Sequence, residues 1–355
     1  MKKVVGIFVT DTHLDKGNGG LVKDIFDQLI SLCKEYQTNR IFHGGDVFTN
    51  RSGQPLQCLT DWKDILKKLA ANNIELHVIP GNHDKTDSDD ERSYLDVYTD
   101  RCMRVYDHGK LFYDGKMLFA FIPYFKDEKW LDEYEHICEN VEAGLIDNDW
   151  TLKTPKILIT HSGFDGVRNN DGTRVESIIK PHIFKQWTKV LIGHYHNASE
   201  LADNVIYPGS AYQNNYGENI TDKGFTLIFE DGSTKFVPSK FPKYIKHVID
   251  AKDKDTLRNL IDQYDDENRK DFIRFVFTGK KEDCQLINIA EIQGKYGIDC
   301  KFQATETAEA MQISQEDSVF AYDKKSIIKD FIKFCSENNI RGEQMKYGLD
   351  LVKNY

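Results

Sequence analysis

Seven side chains in this sequence have the types and placement of metal ligands. Each follows the apolar residues of a predicted strand, and together they offer two carboxylates, one amide and four imidazoles. Mixed oxygen and nitrogen ligands suit borderline-hard divalent ions such as manganese, iron or zinc, and not calcium. The seven residues are Asp11, His13, Asp46, Asn82, His161, His194 and His196.

The size of this ligand set indicates two ions. Seven ligands are too many for one ion, whereas two ions roughly 3.5–4 Å apart that share a bridging carboxylate would use them all. Taken singly, each histidine would be interpreted as a core residue, and Asn82-His83-Asp84 as a turn. Their joint placement favours a two-metal centre. Such a centre attracts phosphate and lowers the pKa of water towards neutrality, so phosphate-ester hydrolysis is the predicted chemistry.

The elements that must position these side chains follow a β-α-β-α-β pattern, which is typical of a layered α/β domain. In such sheets ligands bind at the carboxyl ends of the strands. Asp11 and His13 are two residues apart, as are His194 and His196, so a continuing pleat would point both members of each pair to one side. The predicted strands that lead into these residues are 3–10, 40–43, 74–79, 156–160 and 189–192, and helices are predicted at 21–36 and 56–70. Further strands are predicted at 103–106, 111–113, 117–122 and 224–230, and a further helix at 130–146.

Five short motifs resemble the signature blocks of the calcineurin-like metallophosphoesterase superfamily. They are Asp11-x-His13, Gly45-Asp46, Gly81-Asn82-His83-Asp84, His161 and Gly193-His194-x-His196. The resemblance implies two mixed β-sheets flanked by helices. It also implies that His83 is the catalytic histidine, which stabilises the transition state and protonates the leaving oxygen. It further implies that Asp11, His13, Asp46 and His196 hold one ion, and that Asp46, Asn82, His161 and His194 hold the other, with Asp46 bridging.

Three further motifs are similar to the SbcD-like branch of DNA repair nucleases. They are Tyr207-Pro208-Gly209-Ser210, Tyr216-Gly217-Glu218 and Lys223-Gly224-Phe225. The branch implies a manganese-dependent double-strand exonuclease and single-strand endonuclease, homodimeric and bound to an SbcC-like SMC-family ATPase. Thr49 departs from the branch, which often has His or Asp at this position. The resemblance therefore does not say whether residue 49 contacts a metal ligand or the substrate.

The same resemblance implies four parts: a nuclease domain (1–240), a capping domain (241–305), a linker (306–323) and a helical hairpin (324–355) that binds the ATPase. The capping domain is predicted to follow a β-α-β-α-β order, with one helix over 283–296. The basic stretch 235–246 is either a solvated linker or a phosphate contact. On the second helix, Leu56, Leu59 and Trp62 are either dimer contacts or core residues.

The charge, the cysteines and the hydropathy of the chain argue against several classes of function. The net charge of −10 over 355 residues argues against whole-surface affinity for nucleic acid, although a local site remains compatible with it. The seven cysteines include no Cys-x-x-Cys, so a reducing cytoplasm is expected. No segment has the length of a membrane span. Two alternatives remain, namely a free-standing phosphodiesterase for nucleotides or phosphoproteins, and a binding scaffold with an inactive site.

Overall fold

The computed structural model describes residues 2–98, 102–147, 149–169, 173–218, 222–266 and 268–304. The chain divides into two compact units. The first contains Met1–Lys246 and Asp266–Arg274, and the second contains His247–Asp265 and the described residues from Phe275 onwards.

The described part of residues 2–240 forms twelve strands and three α-helices. The strands are β1 (Val4–Val9), β2 (Arg40–His43), β3 (Glu75–Val78), β4 (Met103–Val105), β5 (Lys110–Tyr113), β6 (Leu118–Ile122), β7 (Lys156–His161), β8 (Lys189–Gly193), β9 (Ser199–Ala202), β10 (Val205–Tyr207), β11 (Gly224–Phe229) and β12 (Thr234–Pro238). The helices are α1 (Gly19–Glu35), α2 (Leu56–Ala71) and α3 (Asp127–Ile146).

The first sheet has the strand order β12-β11-β1-β2-β3-β4. Its central strands β1, β2 and β3 are parallel, with Val9 opposite His43 and His43 opposite Val78. Because these three strands end level with one another, the loops that follow them emerge side by side at one edge of the sheet. Those loops carry Asp11, Asp46 and Asn82.

The second sheet has the strand order β5-β6-β7-β8-β10-β9. Parallel β7 and β8 place His161 opposite Gly193, at the carboxyl ends of both strands. His161 therefore lies beside the turn that carries His194 and His196.

The two sheets pack face to face over a shared aromatic and aliphatic layer. Phe8 and Phe42 from the first sheet meet Phe119 and Phe121 from the second, and the rings of Phe42 and Phe119 stack with centroids 4.6 Å apart. Helices α1 and α2 cover the outer face of the first sheet, and α3 covers the outer face of the second. The predicted layered α/β sandwich of two mixed sheets flanked by helices is confirmed.

The packing of helix α2 decides whether Trp62 is a core residue or a dimer contact. Trp62 is fully buried, and its indole packs edge-to-face against Phe26 at 5.4 Å and Phe48 at 6.2 Å between ring centroids. Leu59 is half-buried against the same core, whereas Leu56 is 75% exposed. Trp62 is therefore a core residue, and assigning it to a dimer interface is wrong.

This packing predicts a large loss of stability for Trp62→Ala. Removing a buried indole should lower the free energy of unfolding by about 3–5 kcal/mol. The Leu56→Ala control should change it by less than about 0.5 kcal/mol, because the side chain is exposed. Urea denaturation of both variants tests this. Unchanged stability with a dissociated dimer in Trp62→Ala would contradict the core assignment.

The remaining described elements start near residue 244. They are β13 (Tyr244–Asp250), α4 (Lys254–Tyr264), β14 (Phe272–Gly279), α5 (Lys281–Gln285), α6 (Ile289–Tyr296) and β15 (Asp299–Ala304), with the three strands in the order β13-β14-β15. The prediction of one helix over 283–296 is wrong. The chain leaves the helical conformation after Gln285, and Asn288 caps a second helix by accepting a hydrogen bond from the Glu291 amide at 3.2 Å.

The basic stretch 235–246 is not a free linker. Its first four residues all belong to β12, which pairs antiparallel with β11, and its last three residues begin β13. The sequence patterns do not predict the strands β9, β10 and β12. The predicted linker (306–323) and hairpin (324–355) lie outside the described residues.

None of the helices in the described part of the chain has the length and apolarity needed to cross a membrane.

Candidate metal centre

The loops that carry the predicted ligands leave the strands in an unusual backbone conformation. The φ angles are 55° at Asp11, 41° at His13, 55° at Asp46 and 102° at His194. A positive φ is uncommon for residues with a Cβ and clusters at functional sites. The prediction that Asp11 and His13 share one side of a pleat is therefore wrong in its reason, because β1 ends at Val9 and the chain turns sharply instead.

Glycine is required where two of these loops touch. A Cβ on Gly81 would lie 2.2 Å from Asp46 Oδ1, and a Cβ on Gly45 would lie 2.5 Å from His161 Nδ1. The glycines that precede Asp46 and Asn82 in the sequence motifs thus allow the loops after β2 and β3 to approach the cluster closely.

The first group of ligand atoms comes from Asp11, His13, Asp46 and His196. The two Nε2 atoms of His13 and His196 face each other at 2.9 Å. Asp46 Oδ2 lies 3.6 Å from His13 Nε2, and Asp11 Oδ1 lies 3.8 Å from His196 Nε2. Four donor atoms thus converge on one small volume.

The second group comes from Asp46, Asn82, His161 and His194. Asn82 Oδ1 lies 3.1 Å from His161 Nε2 and 2.9 Å from His194 Nδ1. Asp46 Oδ2 lies 3.5 Å from His161 Nε2. The same carboxylate oxygen therefore faces both groups, and all seven predicted ligands come together.

These donors fit two divalent cations. Ligands bound 2.0–2.2 Å from an ion lie about 3–3.6 Å from one another. The distances between neighbouring donor atoms in the two groups, 2.9 to 3.8 Å, are close to that spacing. The tautomers also fit. His161 Nδ1 donates to the Gly44 carbonyl at 2.7 Å, so the neutral ring keeps its Nε2 lone pair for the cluster. The lone pairs of donor atoms only 2.9–3.8 Å apart, such as those of His13 and His196, would be stabilised by a cation between them.

His83 lies beside the cluster with a different arrangement of contacts. Its backbone amide donates to Asp46 Oδ1 at 2.8 Å, and its ring Nδ1 donates to the carbonyl oxygen of Thr49. Nε2 therefore points into a cavity of about 380 Å³ that five of the seven predicted ligands also line. By distance alone His83 could complete a third group with His13 and Asp46. Its Nδ1 atom is already used by Thr49.

Thr49 has two contacts at the position where the sequence departs from the nuclease branch. Its hydroxyl donates to the carbonyl of His13 at 2.7 Å, and its own carbonyl orients His83. The threonine hydroxyl therefore supports the loop that carries His13, a predicted ligand.

Glu218 is a functional candidate that the sequence analysis did not assign. It is fully buried, and its Oε1 accepts hydrogen bonds from His196 Nδ1 and Asn215 Nδ2, both at 2.8 Å. A carboxylate behind a ligating imidazole fixes the tautomer and raises the basicity of the other ring nitrogen. Glu218 belongs to the motif Tyr216-Gly217-Glu218. Its contact with His196 has no signal in the sequence, because only the fold brings the two side chains together.

Comparison with known proteins agrees with this geometry. The profile of the calcineurin-like phosphoesterase family matches residues 7–229, which span every predicted ligand. The chain belongs to this family.

Three curated relatives share low identity with the chain. "Exonuclease subunit 1" of Enterobacteria phage T4 is 26% identical over 64% of this chain and 66% of its own length. "DNA double-strand break repair protein Mre11" of Methanocaldococcus jannaschii is 24% identical over 64% and 63%. "Putative phosphoesterase 078R" of Invertebrate iridescent virus 3 is 22% identical over 67% and 66%. The chain spans just under two thirds of the length of each relative. Two of the three names are those of a repair protein and an exonuclease, in line with the branch that the motifs resemble.

In this family member, burial keeps two of the imidazoles neutral. Desolvation lowers the pKa of His13 and of His194 to about 4, so both carry free lone pairs near neutral pH. Burial also lowers the pKa of His161, but the Asp46 carboxylate outweighs this and raises it to about 9. A cation that binds between His161 and Asp46 would displace that proton.

The contact between Glu218 and His196 predicts the effect of Glu218→Gln. Loss of the buried carboxylate should weaken metal binding or activity by roughly 10–100-fold, because the His196 ring loses its charged acceptor. Glu139→Gln, on an exposed face of α3, is the control and should match the wild type. Manganese titration by calorimetry measures the difference. Equal affinities in both variants would contradict the supporting role of Glu218.

Proposed function

We propose that this chain is a two-metal phosphodiesterase that hydrolyses DNA, as the nuclease subunit of an SbcCD-like or MRN-like repair or recombination complex. One observation carries the proposal. Asp46 Oδ2 faces ligand atoms of both groups, at 3.6 Å from His13 and 3.5 Å from His161, with His83 adjacent. An oxygen in this position can bridge two ions.

Each proposed ion has four protein ligands, and manganese is the proposed metal. Bound cations would supply the positive charge that attracts phosphate and lowers the pKa of water. The first set is Asp11, His13, Asp46 and His196, and the second is Asp46, Asn82, His161 and His194.

His83 is the proposed catalytic residue. The Thr49 carbonyl holds its Nδ1–H, which fixes the ring plane and leaves Nε2 directed into the cavity. A proton on Nε2 could hydrogen-bond a phosphate oxygen as charge develops there. The same proton could then be transferred, once, to the departing sugar oxygen. The ring is only partly buried, so a phosphodiester can reach Nε2.

DNA is the proposed substrate because two relatives bear the names of a double-strand break repair protein and of an exonuclease. The test is nucleotide release from linear duplex DNA in manganese, with and without an SMC-family ATPase from the same genome. Cleavage of duplex and single-stranded DNA is expected. Hydrolysis of nucleotides or phosphoproteins without any DNA cleavage would favour the free-standing phosphodiesterase instead.

The partner is proposed from the sequence of residues 324–355. Apolar residues recur there at helical spacing, and two short helices cover only part of such stripes when they pack on each other. We expect a chain truncated after Gln312 to keep manganese-dependent cleavage of single-stranded DNA and to lose co-purification with the SMC-family ATPase. Unchanged affinity of the truncated chain for that ATPase would contradict this docking role. Homodimerisation is proposed from the branch alone.

A further inference from the structure

Arg51 lies next to the proposed catalytic histidine. Its Nη2 atom is 3.5 Å from His83 Nε2, and Arg51 lines the same cavity of about 380 Å³ as the metal-ligand cluster. A guanidinium carries its charge at all physiological pH values and presents N–H groups in a fork that matches two phosphate oxygens. Because Arg51 lies beside His83, its guanidinium can contact a phosphate bound in the cavity.

The guanidinium of Arg51 contacts the ring of His83 but forms no ion pair within the described residues. Arg40 pairs with Asp114 at 2.6 Å, and Arg174 pairs with Asp165 at 3.5 Å. Within the described ranges no carboxylate lies within ion-pair distance of Arg51. An unpaired cation at the mouth of an anion-binding site is available for the substrate.

The loop that carries Arg51 is held in place on both sides. The hydroxyl of Tyr94 donates to the Arg51 carbonyl at 2.8 Å, and the amide of Thr49 donates to the Leu14 carbonyl at 3.2 Å. The side chain of Asn50 accepts from the Ser52 amide at 3.1 Å. The anchored backbone therefore fixes the position from which the Arg51 side chain extends along the His83 side of the cavity.

We propose that Arg51 binds a non-bridging oxygen of the scissile phosphodiester, the same phosphodiester whose leaving oxygen His83 protonates; this inference rests on the proposed function. Arg51 Nη2 and His83 Nε2 are only 3.5 Å apart, so one phosphate in the cavity can contact both side chains. The guanidinium stabilises the negative charge that such a phosphate gains in the transition state, and the stabilisation grows as the charge develops. Arg51 would therefore raise kcat as well as binding.

The test compares two substrates in manganese. Bis(p-nitrophenyl) phosphate contains only the scissile phosphate, whereas an oligonucleotide duplex also has neighbouring phosphates. Arg51→Ala should lower kcat/KM for both by on the order of 10²-fold. Arg51→Lys should recover part of the loss, and added guanidinium ion should partly rescue Arg51→Ala on the small diester. Manganese stoichiometry should stay at the wild-type value. Arg92→Ala, at another exposed arginine, is the matched control.

Three outcomes overturn the inference. A loss confined to the oligonucleotide would assign Arg51 to a neighbouring phosphate. Loss of metal from Arg51→Ala would make its role structural, and unchanged rates on both substrates would remove any role. Wild-type protein that cleaves neither substrate would instead refute the proposed function, and the inference would fall with it.

Discussion

The Asp46→Asn protein is expected to lose both metal ions, and its phosphodiesterase activity should fall by on the order of 10³-fold or more. Asp46 Oδ1 accepts the His83 amide at 2.8 Å, and an asparagine would keep that bond through its own Oδ1. The new NH₂ group would then replace Oδ2, the oxygen that faces His13 and His161. A neutral N–H donor cannot bridge two cations.

Asparagine is also the substitution that best preserves the loop. The φ angle at residue 46 is 55°, and asparagine tolerates the left-handed region better than most residues with a Cβ. The variant should therefore fold, so that a loss of metal reflects the missing charge. His13→Ala, which removes one terminal ligand, should lose mainly one ion. Asp24→Asn, on the exposed face of α1, should lose none. Equal stoichiometries in Asp46→Asn and His13→Ala, measured by calorimetric titration, would contradict the bridging role.

The His83→Ala protein should bind both ions normally and cleave DNA roughly 10²–10⁴-fold more slowly, which is the usual contribution of a general acid. The His83 ring makes its hydrogen bond to Thr49, and the atom that faces Asp46 is the backbone amide, which alanine retains. The exposed His136→Ala variant is the control. Elemental analysis accompanies the rate measurement. A missing metal ion in His83→Ala would mean that His83 is a ligand, as its distance to His13 and Asp46 also allows.

The sequence pattern predicted a layered α/β domain because its strongest signals are local, and the family resemblance added the two mixed sheets. Short apolar strands alternate with amphipathic helices over the first hundred residues, and parallel pairing brings the carboxyl ends of β1, β2 and β3 to one edge. Polar residues directly after those strands must then lie close together. This is why all seven predicted ligands meet, although the pleat argument for Asp11 and His13 was wrong.

What the sequence did not predict depends on contacts between distant segments. Glu218 is separated from His196 by 22 positions, and only the fold brings its carboxylate behind the imidazole. Arg51 likewise meets His83 across 32 positions. The break between α5 and α6 had a local signal in Asn288, an N-cap residue that was read as part of a continuous helix.

The most direct test of the two-metal account is the electron paramagnetic resonance spectrum of the protein with two equivalents of Mn²⁺. Two Mn²⁺ ions that share the Asp46 carboxylate should be exchange-coupled and give a broad, temperature-dependent multiline spectrum. The coupling should disappear in Asp46→Asn and persist in His83→Ala. An uncoupled six-line Mn²⁺ spectrum from the wild-type protein at full occupancy would contradict a shared bridging carboxylate.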